Sequence, residues 1–114
     1  MNIQHLAPGL SISDQIEPMD LAALKAAGFR AIVCNRPDGE SGDQPPFSDI
    51  ERAARALGLA AYYLPADAGK VTEAHGVAFG HLLAQLPGPV LAYCRTGKRS
   101  NTMWVLSQSN PHSL

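Results

Sequence analysis

The chain reads as an α/β protein with a mostly parallel central sheet flanked by helices. Two observations carry that reading. Short apolar runs alternate with amphipathic stretches of helical spacing, and glycine- and proline-rich segments punctuate the joins. Strands separated by helices of ten or more residues imply parallel pairing with helical crossovers. Residues 5–12 form one or two short strands around Pro8-Gly9. A first helix is expected from Pro18 to Ala27, with proline in its first turn and Gly28 as its stop. Phe29 to Cys34 is a strand, and the Pro-, Gly-, Asp- and Ser-rich stretch from Asn35 to Pro46 a long loop. Ser48-Asp-Ile-Glu51 has the form of a capping box, opening a helix whose inward face is Ile50, Ala53, Ala54 and Leu57 and which Gly58 ends. Ala60 to Leu64 is the next strand and Pro65 to Val71 the next loop. Thr72 then caps a helix reaching Leu86, with Phe79, Leu82, Leu83 and Leu86 on its apolar face. Pro87-Gly88-Pro89 breaks it before the strand Val90 to Tyr93, and Ser100 is expected to open a last helix to Ser109.

Composition narrows the function classes. With 114 residues, 46% hydrophobic and 17% charged, the chain (residues 1–114) is expected to form a single catalytic domain around one core. A formal net charge of −1 argues against nucleic acid as partner, because a phosphate-backbone binder needs a broad basic face. Cys34 and Cys94 do not make a disulfide framework. The opening residues lack the basic start and apolar run of a signal peptide, and no apolar run approaches membrane-spanning length. A cytoplasmic protein with reduced thiols and no membrane partner is the expectation. The four histidines show no metal spacing, so no metal or other cofactor is expected.

The informative segment is Val90-Leu-Ala-Tyr-Cys-Arg-Thr-Gly-Lys-Arg-Ser100. A strand ends in Cys94, and a loop with the cations Arg95, Lys98 and Arg99 leads into a helix. Loop N–H groups and the helix dipole favour an anionic sulfur, so a nucleophilic thiolate is expected at Cys94. Arg95, Thr96, Gly97 and Lys98 form the anion-binding loop, in which Gly97 permits the tight turn that aims an N–H inward. Ligands of parallel sheets sit beyond the carboxyl ends of the strands. The loops beginning at Asn35 and Pro65 should therefore flank Cys94. Cys34 ends a buried strand and is expected to be core.

Together these motifs resemble the phosphatase-like domain family found in β-lactamase-hydrolase-like proteins, a small bacterial relative of the dual-specificity protein phosphatases. The resemblance runs through Gly9-Leu-Ser-Ile-Ser, Cys34-Asn-Arg-Pro-Asp-Gly-Glu40, Tyr63-Leu-Pro-Ala-Asp67 and the cysteine loop. It implies a protein tyrosine phosphatase-like fold of the dual-specificity type. It also implies Arg99 as the oxyanion clamp, Asp67 as general acid, and Arg36 and Asp38 as residues near the pocket. Resembling domains are fused to metallo-β-lactamase-type persulfide-oxidising domains, which makes such a protein an expected partner.

The loop departs from the phosphatase pattern His-Cys-x5-Arg-Ser/Thr. Here tyrosine (Tyr93) replaces the histidine, and Cys94 to Arg99 is Cys-x4-Arg, one residue shorter, which resembles the active-site loop of rhodaneses. A phosphoryl group in flight needs donors on three equatorial oxygens, whereas a persulfide presents a single anionic sulfur. The leading expectation is accordingly sulfur transfer from thiosulfate or a low-molecular-weight persulfide, with Ser100 donating a hydrogen bond to the thiolate. A cysteine-dependent phosphatase acting on a phosphoester is the alternative, and a non-catalytic anion-sensing or docking module the third.

Overall fold

The computed structural model describes residues 1–109. Their chain order is β1 (Gln4–Ala7), β2 (Leu10–Ser13), a 3₁₀ turn (Pro18–Asp20), α1 (Leu21–Ala26), β3 (Ala31–Cys34), α2 (Phe47–Ala56), β4 (Ala60–Tyr63), α3 (Glu73–Gln85), β5 (Val90–Tyr93) and α4 (Lys98–Ser109). The sheet order is β1-β2-β5-β3-β4. Only β1 runs antiparallel, as a hairpin with β2 turning at Gly9 (φ +81°), and β5 lies between the parallel strands β2 and β3. The mostly parallel α/β architecture is as the sequence indicates.

Strand alternation sends side chains to two cores. Ile32 and Cys34 of β3 join Leu91 and Tyr93 of β5 on one face, packed with Leu21, Leu24, Ile50 and Ala54 of α1 and α2. Ala31, Val33, Val90 and Ala92 face the other way, onto Phe79 of α3 and Met103 of α4. Helices α3 and α4 approach so closely at Gly76 that a Cβ there would lie 2.6 Å from Leu106 Cβ and 2.9 Å from its carbonyl carbon. Glycine costs about 1 kcal/mol in a helix interior, and this approach explains its presence.

Two helix starts differ from expectation. Ser48 does not cap α2: the helix begins one residue earlier, with Pro46 at the N-cap, and Glu51 pairs with Arg55 at 3.3 Å instead. The cap is remote. Asp38 Oδ1 accepts the N–H of Phe47 at 2.8 Å, supplying an acceptor and a negative charge where the helix dipole wants one. Helix α4 starts at Lys98 rather than Ser100, directly after Gly97 (φ +94°). The Thr72 cap of α3 is as expected, with His75 in the capping-box position: its Nδ1 accepts the Thr72 N–H at 3.0 Å.

Candidate active site

The carboxyl ends of β2, β3, β4 and β5 all lie at one edge of the sheet, and their loops meet there. Asn35, fully buried, ties three of them together. Its N–H donates to the Tyr93 carbonyl (2.8 Å), its carbonyl accepts from Ala66 (3.1 Å), and its side-chain Nδ2 donates to the Leu64 carbonyl (2.8 Å). Its Oδ1 accepts the Ser100 hydroxyl at 2.8 Å. This corrects the role expected for Ser100: its hydroxyl is committed to Asn35, not donated to the thiol, because α4 begins a turn-fraction earlier and rotates residue 100 towards the loop after β3.

Cys94 immediately follows β5 and is fully buried. The Gly97 N–H donates to its sulfur at 3.1 Å, and the positive φ of Gly97 makes that turn possible. One loop N–H, that of Gly97, thus reaches the sulfur. The loop neighbours Arg95, Thr96, Lys98 and Arg99 line a cleft of about 700 Å³ together with Ala68, Gly69 and Val71 of the loop after β4, while Cys94 itself lies beneath the surface and is not part of the lining. A volume of that size takes a small-molecule or side-chain substrate, well beyond a lone oxyanion. Arg95 and Lys98 are exposed and have no ion-pair partner among the described residues.

Arg99, by contrast, is buried and fully engaged at one end. Its Nη1 and Nη2 clamp the two oxygens of Glu40 at 2.6 and 2.8 Å, and Nη1 also donates to the Ala66 carbonyl at 3.1 Å. Arg36 lines the same cleft, with its Nε on Glu40 Oε1 at 2.9 Å and its Nη1 on Gln15 Oε1 at 3.0 Å. Glu40 thus bridges two arginines. The Arg99 hydrogen bonds, followed by those of Arg36, hold its carboxyl at about 2, and the same bonds push the Arg99 guanidinium further up. Glu40 stood in the sequence motif, but its pairing with a residue so distant in the chain left no periodic signal.

A carboxylate pKa lowered from 4.5 to about 2 means that the folded state holds the proton less tightly than the unfolded chain. The stabilisation from this bridge is present above pH 4.5 and lost as pH falls from 4.5 towards 2. Acid-unfolding curves followed by circular dichroism should show Glu40→Gln less sensitive than wild type across that window. Equal acid sensitivity would show that the bridge contributes nothing to stability.

The remaining candidates separate. Asp38 is exposed and does not line the cleft. Its carboxylate caps α2, and its N–H donates to the Tyr63 hydroxyl at 2.9 Å, so the pocket contact expected of it is corrected to a loop-bracing role. Asp67 is exposed at the rim, between Ala66, which accepts from Arg99, and Ala68, which lines the cleft. Cys34 lies in the core as expected: its thiol donates to the Arg36 carbonyl at 3.3 Å, and burial pushes its pKa up to about 11. Burial likewise pushes the Tyr93 phenol up. Among the described residues no cluster of His, Cys, Asp or Glu could hold a metal, and no helix is long and apolar enough to cross a membrane.

The family model for the β-lactamase hydrolase-like protein, phosphatase-like domain, matches residues 2–111. The chain belongs to that family. The phosphatase-like domain is 37% identical over 100 residues to the β-lactamase hydrolase-like protein of Agrobacterium fabrum, covering 88% of this chain and 23% of the relative. It is 34% identical over 108 residues to the protein of that name from Xylella fastidiosa, covering 95% of this chain and 25% of the relative. The chain thus spans about a quarter of the length of these curated relatives. Among solved structures, a Neisseria meningitidis protein provisionally named a phosphatase superposes with a TM-score of 0.81 at 32% identity, covering 92% of this chain and 77% of that one. The fold extends to P. aeruginosa TpbA, solved in complex with phosphotyrosine (TM-score 0.67, 20% identity, 90% of this chain and 59% of that one). The protein tyrosine phosphatase-like fold implied by the sequence is the one observed.

Proposed function

We propose that the domain is a cysteine-dependent phosphatase-type hydrolase, acting through a phosphocysteine at Cys94. The observation that carries this reading is the loop that holds the buried Cys94, with the Gly97 N–H on its sulfur, between residues that line a substrate-sized cleft, Arg99 among them, in a phosphatase-like family and fold. In the first step the Cys94 sulfur attacks phosphorus, the bond to the leaving oxygen breaks, and Asp67 gives that oxygen its proton. Loop N–H groups and Arg99 take up charge on the equatorial oxygens. In the second step water attacks the phosphocysteine, the S–P bond breaks, and Asp67 takes back a proton from the water. The thiolate and inorganic phosphate result. Arg95 and Lys98 draw anions to an otherwise nearly neutral body.

The test is hydrolysis of aryl phosphates, p-nitrophenyl phosphate and phosphotyrosine, with acid-quenched intact mass spectrometry for the phosphoenzyme. Asp67→Asn should lower kcat about 10² to 10⁴-fold for substrates with poor leaving groups and much less for good ones. A uniform effect across leaving groups would remove Asp67 from the acid role. Absence of both turnover and phosphoenzyme would overturn the proposal.

One observation favours a second reading, the rhodanese-type sulfurtransferase. The loop is Cys-x4-Arg, and the single N–H on Sγ suits a one-atom anion. Incubation with thiosulfate followed by intact mass spectrometry separates the two. One added sulfur atom, lost on adding cyanide and missing in Cys94→Ser, would establish that chemistry. The metallo-β-lactamase-type persulfide-oxidising partner belongs to this second reading.

A further inference from the structure

We propose that His75 is a positioning residue for Asp67: by capping Thr72 it fixes the far end of the loop that holds the aspartate at the rim of the cleft. The role of Asp67 as acid rests on the phosphatase reading; the anchoring rests on hydrogen bonds within this chain. Asp67 to Lys70 is a closed turn. The Lys70 N–H donates to the Asp67 carbonyl at 3.0 Å, and Gly69 takes the positive φ (+74°) that the third position of a type II turn requires. Such a turn moves as one piece, so the direction of Asp67 is set by the connections on either side of it. On the near side, the Ala66 N–H donates to the Asn35 carbonyl and the Ala66 carbonyl accepts from Arg99. On the far side, the chain enters α3 through Val71 and Thr72.

The entry of a chain into a helix is fixed by a capping box, by a hydrophobic contact between the residue before the cap and the fourth helical residue, or by both. The hydrophobic contact is closed to this chain. Val71 precedes the cap, but the fourth helical residue is Gly76, where a Cβ would lie 2.6 Å from Leu106 Cβ. The close approach of α3 and α4 thus removes that contact. Val71 packs instead against the core of Phe79 and Met103, and it lines the cleft. The capping box is left to direct the backbone. The Thr72 N–H donates to His75 Nδ1 at 3.0 Å, and Thr72 Oγ1 accepts the His75 N–H at 3.4 Å. Among the described residues, no other acceptor meets the Thr72 N–H. His75 does not itself line the cleft, so its influence on a reaction there passes through the loop.

The experiment uses the full chain with a poor and a good leaving group, phenyl phosphate and p-nitrophenyl phosphate. His75→Ala should lower kcat for phenyl phosphate about tenfold, with KM little changed and p-nitrophenyl phosphate turned over within about twofold of wild type. His75→Gln restores the usual form of the box and should bring phenyl phosphate turnover back to within about threefold of wild type. In an Asp67→Asn background His75→Ala should cost nothing further, because the two residues act as one unit. The redox-inert oxyanion tungstate should protect Cys94 from iodoacetamide equally in wild type and His75→Ala, since the cysteine loop is untouched. Amide hydrogen exchange in His75→Ala should quicken at Lys70 and Thr72 while β5 stays protected. Equal losses for both leaving groups, or additive losses in the double variant, would overturn the proposal, and so would a lower Tm with unchanged kinetics. Loss of tungstate protection would overturn it too, by moving the effect of His75 to the cysteine loop. A wild-type chain that hydrolyses neither ester sinks the phosphatase reading, and exchange then decides the anchoring: quickening confined to residues 67–72 supports it, and unchanged exchange overturns it.

Discussion

Cys94→Ser is expected to abolish turnover, by at least about 10³-fold, while leaving the fold and the anion cradle in place. Serine is close to cysteine in size, so the buried site after β5 accommodates it without a cavity. The Gly97 N–H that meets the sulfur at 3.1 Å finds an oxygen instead, which keeps the loop curled. What disappears is nucleophilicity, since an unassisted hydroxyl is a far weaker nucleophile than a thiolate. The variant should therefore bind tungstate about as well as wild type and form neither phosphoenzyme nor persulfide. Residual activity within about tenfold of wild type would mean that Cys94 is not the nucleophile in either chemistry. Loss of tungstate binding together with a large drop in Tm would mean that the sulfur is chiefly a structural acceptor.

The second large effect is expected at a residue that performs no chemistry. Asn35→Ala removes the acceptor of the Ser100 hydroxyl, in the interior, and the donor to the Leu64 carbonyl, which is partly buried. Leaving buried partners unpaired costs roughly 1–3 kcal/mol each, so a total of about 2–5 kcal/mol of unfolding free energy is expected by urea titration. Activity should fall as well, because the same side chain joins the loop after β3 to the loop carrying Asp67 and to the start of α4. Asn35→Asp separates the two effects: it keeps the acceptor for Ser100 and loses only the donor to Leu64. A destabilisation below about 0.5 kcal/mol in Asn35→Ala would show that the three loops are held by their backbone bonds alone.

The sequence made some of this legible and concealed the rest for identifiable reasons. Strand β5 and helix α3 could be read nearly to the residue, because Pro87-Gly88-Pro89 brackets one and a local Thr72–His75 cap opens the other. The start of α2 was hidden because its cap, Asp38, lies nine residues upstream of the Phe47 it serves, beyond any local capping pattern. Ser100 misled for a related reason: it is a residue type that caps helices, yet here it sits within the first turns of α4 and bonds inward. Cys94 and its loop were legible because strand, cysteine, glycine and cations are contiguous. Glu40 and Asn35 were not legible as site residues, since their partners Arg99 and Ser100 lie 59 and 65 residues away. The loop count steered the sequence reading towards sulfur chemistry, whereas the family and fold favour phosphate.

The attachment of Ala66 sets how the rim of the cleft can move. Ala66 is pinned twice, its N–H on the Asn35 carbonyl and its own carbonyl under Arg99, and Thr72 is pinned again by its cap on α3. Between those two fixed points run only residues 67–71, with a turn closed by the Lys70 N–H on the Asp67 carbonyl and Gly69 at φ +74°. Asp67 therefore rides on a short arc hinged at both ends, not on a free flap. If Asp67 is the acid, the few backbone torsions between Ala66 and Thr72 set how its carboxyl can approach a substrate at Cys94.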